Sequence, residues 1–358
     1  MDITMNQLPV PTWNSLHMNE SKLSVPFAQT NAAITTSIPN GIVYYEDESR
    51  TMTQIETGMG KDIDQIIGKQ KRVIHLEVPS DYKATQPILL NLQAHDEHTY
   101  YEIEVHAKER SEVTIVMTYD SSLKKEEQEL LYHGVRTKFH AKEQAVIRFF
   151  QVQLLGESFL HLNDIGGLCE EQSHVELLQL SLGAKKSYQG CFVQLQGAES
   201  TMQTEIGYAL TGQQSLDMNY VTNHYGKKTK SCLKANGVLQ EKASKLFRGT
   251  IDFKHGSSGS EGEEHEDVLL LGNEIINQTI PLILCAEEDV QGNHGATLGQ
   301  IDDSVLFYLC SRGMTKEEAE LMLIQARIDA LCSKIPSEKV QDNIRCYQKE
   351  AMMNGFTK

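Results

Sequence analysis

Residues 170–180, EEQSHVELLQL, join a short polar corner to a run in which apolar and polar side chains alternate. The corner ends in Ser173, and residues 175–180 show the period-2 pattern of a half-buried β-strand. The same phrase of polar residues, then Ser or Ala, then an apolar run recurs along the chain. Its other occurrences are residues 108–111, 142–145, 197–200, 212–215 and 241–244. This self-similarity predicts a stacked solenoid in which each coil repeats short strands and polar corners.

Strand-like segments make up most of the region between residues 72 and 285. They are residues 73–78, 101–105, 113–117, 146–150, 175–180, 191–195 and 247–253. A long helical period is missing from this region, apart from residues 123–132, so alternating βαβ units are not predicted. A parallel β-helix fits the pattern, because stacked coils bury a continuous core between polar corners. A jelly roll or a β-sandwich fits the number of strands as well.

The overall composition is that of an ordinary soluble protein, with 358 residues of which 40% are hydrophobic and 23% charged. This length allows one large domain with appendages or two domains. The net charge of −16 argues against a nucleic-acid-binding protein. No run approaches the ~18–20 apolar residues of a membrane span. The N-terminus has no basic region followed by an apolar core, so we expect a cytoplasmic protein without a secretory signal.

The seven cysteines are widely spaced, and none belongs to a Cys-x-x-Cys pair. This spacing argues against a zinc ribbon or a thioredoxin-type motif. Scattered cysteines in a cytoplasmic chain are mostly small buried residues. We therefore expect Cys285, which follows an apolar segment, to occupy a buried strand position.

Three regions are predicted along the chain. Residues 1–70 form a small, partly helical lead-in that Trp13 anchors to the body, residues 71–300 form the β-helix core, and residues 301–358 form a helical domain. Residues 315–318, Thr-Lys-Glu-Glu, are a capping box that starts a helix. One face of that helix is predicted to carry Ala319, Met322, Leu323, Ala326 and Ala330.

Two groups of histidines have the residue types of a metal site. His255 and His265 lie among five carboxylates in residues 254–267, KHGSSGSEGEEHED. We predict a flexible, solvated loop there, because Gly and Ser do not hold ligands in a fixed arrangement. His95 and His98 are three residues apart, but a lone pair of histidines is a weak signal, and they are predicted to belong to a surface turn.

The sequence shows no motif of a known catalytic class, and the chain is predicted not to be an enzyme. It has no P-loop and no Gly-x-Gly-x-x-Gly after a strand. A Gly-x-Ser-x-Gly motif is met only in broken form at residues 256–260. The alternative is a β-helix enzyme acting on carbohydrates, such as a polysaccharide lyase or hydrolase. Such an enzyme needs clustered carboxylates or a basic residue along one groove.

Residues 281–313, PLILCAEEDVQGNHGATLGQIDDSVLFYLCSRG, run from an apolar segment through an acidic run into a Gly-rich turn around His294. Part of this stretch resembles the C-terminal signature of the SufB/SufD family, the scaffold subunits of the SUF iron–sulfur cluster assembly machine. Weaker similarity covers most of the chain, including residues 11–14. SufD-type members usually carry a cysteine two positions before the histidine, where this chain has Gly292. The matching residues are Asp289-Val290, His294-Gly295-Ala296-Thr297, Gly299, Asp302, Leu306-Phe307-Tyr308-Leu309 and Ser311-Arg312-Gly313.

The resemblance implies a mainly β fold, a right-handed parallel β-helix core with small N-terminal and helical C-terminal regions. It implies a scaffold that dimerises through the β-helix, with itself or with a SufB/SufD-like paralogue, and that binds an ABC-type ATPase of the SufC kind. It places His294 where the two subunits meet and hold a transient iron–sulfur cluster, with no tightly bound cofactor in the isolated chain. From the residues alone, a turn histidine bonded to backbone is the simpler interpretation.

One histidine cannot hold a cluster, so the resemblance requires further ligands. They would come from the facing subunit or from Cys285, Glu287 or Glu288, although a solvated turn explains the acidic run equally well. An assembly adaptor without any metal contact is the remaining alternative. The resemblance also implies an ATPase-docking region, for which the candidates are Phe307, Tyr308, Arg312, Gly313 and Met322.

Overall fold

The computed structural model describes residues 1–12, 14–30, 34–123 and 129–355, the last five by their backbone only. The predicted anchor Trp13 and residues 124–128 of the helical segment considered above lie outside these residues. Within the described part of the chain, no helix is both long and apolar enough to cross a membrane.

Strands form most of the molecule. Four short ones come first: β1 (Asp2–Met5), β2 (Ser21–Ser24), β3 (Thr35–Ser37) and β4 (Val43–Asp47). The strands of the main body follow: β5 (Val73–Val78), β6 (Ile88–Asn91), β7 (His98–Ala107), β8 (Glu112–Tyr119), β9 (Leu131–Ala141), β10 (Val146–Gln153), β11 (Phe159–Cys169), β12 (His174–Ser181), β13 (Lys186–Leu195), β14 (Thr201–Leu210), β15 (Ser215–His224), β16 (Lys230–Gln240), β17 (Ser244–Phe253), β18 (Ser260–Leu271), β19 (Ile276–Cys285) and β20 (Val290–Gly299).

The main body is a two-sheet β-solenoid. Odd strands from β5 to β19 stack into sheet I and even strands from β6 to β20 into sheet II, and within each stack neighbouring strands pair in parallel. In the described residues the chain makes about eight turns. At the N-terminal end, β4 pairs antiparallel with β5 and β3 with β6, and so they cover both sheet edges. The predicted parallel β-helix is confirmed, because a jelly roll or sandwich would pair its strands antiparallel.

The polar phrases of the sequence are the corners of the solenoid. Gln144 and Gln172 adopt left-handed φ values of 57° and 54°, and each is followed by a fully buried small residue, Ala145 or Ser173. The backbone N–H of Gln144 donates to the carbonyl of Glu171 on the next coil at 2.9 Å, which offsets part of the strain of the left-handed turn. The phrases at residues 212–215 and 241–244 form the opposite corner, which explains the uneven spacing of the repeat.

The N-terminal segment lies across the outer face of sheet I. Its backbone at Gly58 sits against Gly190, where a Cβ on either residue would collide with main-chain atoms. The Gly58 N–H donates to the carbonyl of Ile165 at 3.1 Å. Arg248 of β17 is buried between this face and the β1–β2 hairpin. It donates to the carbonyl of Met18, in the loop between β1 and β2, at 2.6 Å, and so attaches the hairpin to sheet I.

Three helices follow the solenoid in the described chain: α1 (Asp303–Ser311), α2 (Lys316–Cys332) and α3 (Glu338–Gly355). The predicted capping box is confirmed, since Thr315 and Glu318 exchange side-chain and backbone hydrogen bonds at the start of α2. Of the residues predicted to share one face of α2, only Ala319 is buried, and the helix packs on sheet II through another face, with Leu331 over Gly207. The residues of α2 that are buried are Ala319, Ile324, Ile328, Leu331 and Cys332.

Candidate functional site

The C-terminal end of the solenoid is formed by β19 and β20, and among the described residues each of them pairs along one edge only. Two predictions for this end are wrong. The Gly-rich turn predicted around His294 is strand β20, and the flexible loop predicted at residues 254–267 is a short corner that leads into strand β18. Register explains both outcomes, because each segment pairs with the strand of the preceding coil. Stacking therefore overrides the weak strand propensity of Gly and Ser.

The side chain of His294 belongs to the inner face of β20. On β18, Gly262, Glu264 and Glu266 point into the solenoid, and the residues between them point outward. His294 pairs in register with Glu264, and Gly292 with Gly262. A Cβ on Gly292 would lie 2.8 Å from Cγ2 of Ile283 inside the solenoid. His294 is exposed because no described coil covers this end, and we name the opening around it the mouth.

Glu264 lies directly beneath His294, one strand deeper. Its side chain reaches across the interior into the space left by Gly249, where an added Cβ would collide with the carboxylate. Only 3% of Glu264 is exposed. Burial raises the pKa of Glu264 to about 7, with a further contribution from the carboxylate of Glu266, and Lys245 acts in the opposite direction.

The wall of the mouth next to Glu264 is a buried charged group. The ammonium of Lys245 pairs with Glu266 and donates to Oγ1 of Thr279 at 2.8 Å. Thr279 in turn donates to the second oxygen of Glu266 at 2.7 Å. Burial lowers the pKa of Lys245, although Glu266 works against that shift. The arrangement fixes Lys245 and Glu266 to each other and leaves Glu264 outside their network.

The other predicted cluster ligands lie away from His294. Cys285 is exposed at the end of β19, so its predicted burial is wrong, and the reason is that no coil of the described chain stacks beyond this strand. Strands β19 and β20 lie on opposite sides of the solenoid and run in opposite directions. Because Gly292 faces Ile283, His294, two residues later, lies opposite Pro281, two residues earlier. With a rise of about 3.3 Å per residue, Cys285 is about 13 Å further along the strand. Glu288 is exposed in the turn between β19 and β20.

The described chain holds only part of a ligand set. No three His, Cys, Asp or Glu side chains among these residues are grouped closely enough to bind a metal ion. His255 and Glu287 approach within 3.9 Å at the exposed corner, without a third partner of that kind. A metal held at the mouth would therefore need ligands from water or from another chain.

The residues predicted for ATPase docking lie on α1, on α2 and in the turn between them. The exposed fractions are 76% for Phe307, 55% for Tyr308 and 39% for Met322. The guanidinium of Arg312 lies over the Tyr308 ring, 5.2 Å from its centroid. Gly313 ends α1 with a left-handed φ of 98°. In α1, no described residue is buried, so this helix presents an unusual amount of apolar surface to solvent.

Three residues of the mouth were missed in the sequence, namely Glu264, Glu266 and Lys245. The signal that would have located the two glutamates is the alternation Gly262, Glu264, Glu266, Val268, which has the same period as the neighbouring strands. Local composition hid it, because acidic residues next to Gly and Ser are typical of solvated loops.

Comparison with known proteins places this fold in a family. The family model described as "SUF system FeS cluster assembly, SufBD core domain" matches residues 90–327. The iron–sulfur cluster assembly protein SufD of Bacillus subtilis (strain 168) is 32% identical over 133 residues, which are 37% of this chain and 30% of the relative. SufB of the same organism is 24% identical over 208 residues, 58% of this chain and 44% of the relative. A SufBD family protein of Staphylococcus saprophyticus is 25% identical over the same shares.

These matches span less than half the length of each curated relative. The family model, in contrast, covers well over half of the chain, including the whole stack from β7 to β20 and most of α2. The chain therefore belongs to the SufB/SufD core family of the SUF iron–sulfur cluster assembly system.

Proposed function

We propose that this protein is a scaffold subunit of the SUF machine, without catalytic activity of its own, in the cytoplasm. It pairs through the mouth with a second SufB/SufD-like subunit, either a copy of itself or a paralogue, and a transient iron–sulfur cluster is assembled where the two meet. The position of His294 carries the proposal, because an exposed imidazole on the inner face of the last strand faces whatever covers this end.

The ligand chemistry supports a shared site. Neutral imidazole binds iron, and mixed histidine and cysteine ligation of clusters is established chemistry. Since the described residues contain no complete ligand set, the facing subunit must bring the others. In this proposal the cluster is cargo, held by both subunits and passed on, so the isolated chain retains none.

Unpaired strand edges at this end support its pairing with a second subunit. The outer edges of β19 and β20 carry backbone N–H and C=O groups that no described strand pairs, and such edges are templates for another chain. Ile276 and Leu298, at 54% and 51% exposure, add apolar contact area there. Family membership does not favour the carbohydrate-active alternative.

The second partner in this proposal is an ABC-type ATPase of the SufC kind. An exposed apolar helix such as α1 is typical of a docking site. Salt bridges anchor α2 and the turn after it to sheet II, with Arg327 of α2 3.0 Å from Asp267 and Lys334 of the turn 2.6 Å from Glu205. Asp267 is on β18, the strand that carries Glu264 and Glu266 on its other face. Motion of a docked ATPase would reach the mouth through this strand.

Replacing His294 by alanine is expected to reduce cluster assembly at least about tenfold, since losing one metal ligand or its support typically has effects of that size. The complex of this chain with its partner subunit and ATPase would be reconstituted with iron and sulfide, and the cluster followed by its absorbance. His265→Ala is the matched control, because His265 is half-exposed on the outer face of the neighbouring strand. Equal assembly by H294A and parent would favour the adaptor that makes no metal contact.

Replacing Phe307 by serine is expected to weaken binding of the ATPase about tenfold or more, since exposed aromatic anchors often carry much of the binding energy of an interface. The measurement is the dissociation constant of the purified pair by calorimetry. Val43→Ser is the control, because Val43 is an exposed apolar residue on β4 at the opposite end of the solenoid. An unchanged affinity in F307S would rule out α1 as the docking helix.

A further inference from the structure

We infer that residues 9–17, the tip of the loop between β1 and β2, form an arm that packs on the outer face of the last coil of a facing subunit, a second copy of this chain. The inference rests on the proposed function, from which it takes that two subunits meet at the mouth. It adds a contact surface outside the solenoid and names the acceptor of that contact, the outer face of β19. We call residues 9–17 the arm.

The β1–β2 hairpin runs along the solenoid towards the mouth. Near its base, Asn6 donates to a carboxylate oxygen on β15 at 2.6 Å. One coil further on, Arg248 of β17 donates to the carbonyl of Met18 at 2.6 Å. Leu8 and Met18 then pack on Ile280 of β19, the last strand of sheet I in the described chain. The arm therefore begins where the described stack of sheet I ends.

The arm is held in shape by contacts of its own. Asn19 accepts from the backbone N–H of Thr12 at 2.8 Å and donates to Asn14 at 2.6 Å. None of the hydrogen bonds of the arm's described residues reaches the solenoid. Val10 and Leu16 are nevertheless 47% and 54% exposed. An ordered segment with free apolar side chains loses little conformational entropy when it binds a partner.

The acceptor of the arm is the outer face of β19. Ile283 points into the solenoid, where it lies against Gly292, so Ile276 and Leu284 point outward. Ile276 is 54% exposed, and Leu284 is half-buried. They lie on either side of Ile280, on which the hairpin of the same chain packs. Each side of that contact therefore offers apolar surface to a second arm.

Two-fold symmetry brings the arm of one copy to this surface on the other. When two copies meet end to end and sheet I of one continues into sheet I of the other, the outer faces of the two sheets are continuous. An arm that passes the end of its own sheet then lies over β19 of the facing copy. Because arm and acceptor belong to the same chain, the contact is made twice.

The composition of the two last strands favours continuation through sheet I. The outward residues of β19 include two apolar side chains that the hairpin leaves partly free, as described above. Those of β20 are polar or small, and they offer an apolar arm little to bind: Gln291, Asn293, Gly295, Thr297 and Gly299.

The arm also supplies contact area that the open end lacks. Strands β19 and β20 have 10 residues each. With a rise of about 3.3 Å per residue and sheets about 10 Å apart, the end has a cross-section of roughly 330 Å² in projection. A stable interface buries about 800 Å² per partner. Strand edges alone fall short of this area, and an arm from each copy adds to it.

The first test is the dimer dissociation constant of the full-length chain, measured by sedimentation equilibrium. Val10→Ser and Leu16→Ser are each expected to raise it at least about tenfold, because apolar anchors carry much of an interface's binding energy and this contact is made twice. Val43→Ser is the matched control, since Val43 is 48% exposed and lies on β4 at the opposite end of the solenoid. All three variants should keep the melting temperature of the parent, because these side chains are about half exposed in a single copy.

A second measurement identifies what the arm contacts. Leu16→p-benzoylphenylalanine places a photoreactive group on the arm, and unlabelled and nitrogen-15-labelled copies are mixed before irradiation. We expect crosslinked dimers whose joined peptides come from different copies, with residues 276–285 on the acceptor side. Adding the purified ATPase should leave this product unchanged.

Three results would overturn the inference: a parent chain that does not dimerise, dissociation constants of V10S and L16S equal to that of the parent, or crosslinks confined to one copy or to the ATPase. None of them decides the proposed function, which is tested by cluster assembly in H294A and is compatible with pairing to a paralogue. If the arm crosslinks to a second copy while H294A assembles clusters normally, the arm contact stands and the proposed role of His294 falls.

Discussion

Replacement of Lys245 by methionine is expected to lower the free energy of unfolding by about 3–5 kcal/mol, the usual cost of breaking a buried ion pair. The side chains of Lys245 and Glu266 are 0% and 1% exposed, so neither can exchange its partner for water. In the variant, only Thr279 still donates to Glu266 in the described chain, and one hydroxyl does not neutralise a buried carboxylate. The measurement is equilibrium unfolding in denaturant.

Two comparisons make this result specific. Lys242→Met removes an exposed pair with Glu274, with exposures of 56% and 66%, and should cost no more than about 1 kcal/mol. The double variant K245M/E266L removes both charges and should recover most of the loss, because an apolar pair can replace a buried ion pair. A K245M loss below about 1 kcal/mol, or a double variant no more stable than K245M, would contradict the expectation.

The second large effect is expected for Arg248→Met, which should lower the free energy of unfolding by about 3–5 kcal/mol. Arg248 is fully buried between sheet I and the β1–β2 hairpin. It pairs with Asp217 at 2.7 Å and donates to Met18 and Ser21 of the N-terminal segment, so one side chain joins two parts of the chain. Methionine keeps the apolar length but leaves Asp217 without its cation.

The readout for Arg248 has a local component as well. Limited proteolysis should cut the N-terminal segment of R248M faster than that of the parent, because the hairpin loses its attachment to sheet I. Arg345→Met is the control, since its pair with Asp342 is exposed by 48% and 70% and contributes about 0–1 kcal/mol. Equal cleavage rates in R248M and parent would show that packing alone holds the hairpin.

The solenoid itself was predictable because its determinants are local. A corner places a polar residue in the left-handed region before a small buried residue, as in Gln172 and Ser173, and this order of polar and small residues is visible in a short window. Alternation over residues 175–180 then gives the strand and its inner face. The capping box was predictable for the same reason, because its two residues, Thr315 and Glu318, are three positions apart in the sequence.

The candidate site was predictable only in part. His294 stood out through a family signature in the sequence. Glu264 is one of five acids between residues 254 and 267, and the local composition of that window does not separate it from Glu263. The separation comes from pairing with β16 and β20, which sends Glu264 inward and Glu263 outward. The exposure of Cys285 is likewise set by its position in the last described coil and not by its neighbours in sequence.

The sequence alone therefore determined the repeating coil, the helical C-terminal region and the histidine of interest, because these depend on residues close together in the chain. Tertiary structure decided which acids are buried, which cysteine is exposed and which carboxylate lies behind His294. The physical reason is that a parallel stack pairs residues a whole coil apart, and a one-residue change in register would exchange every inward side chain for an outward one.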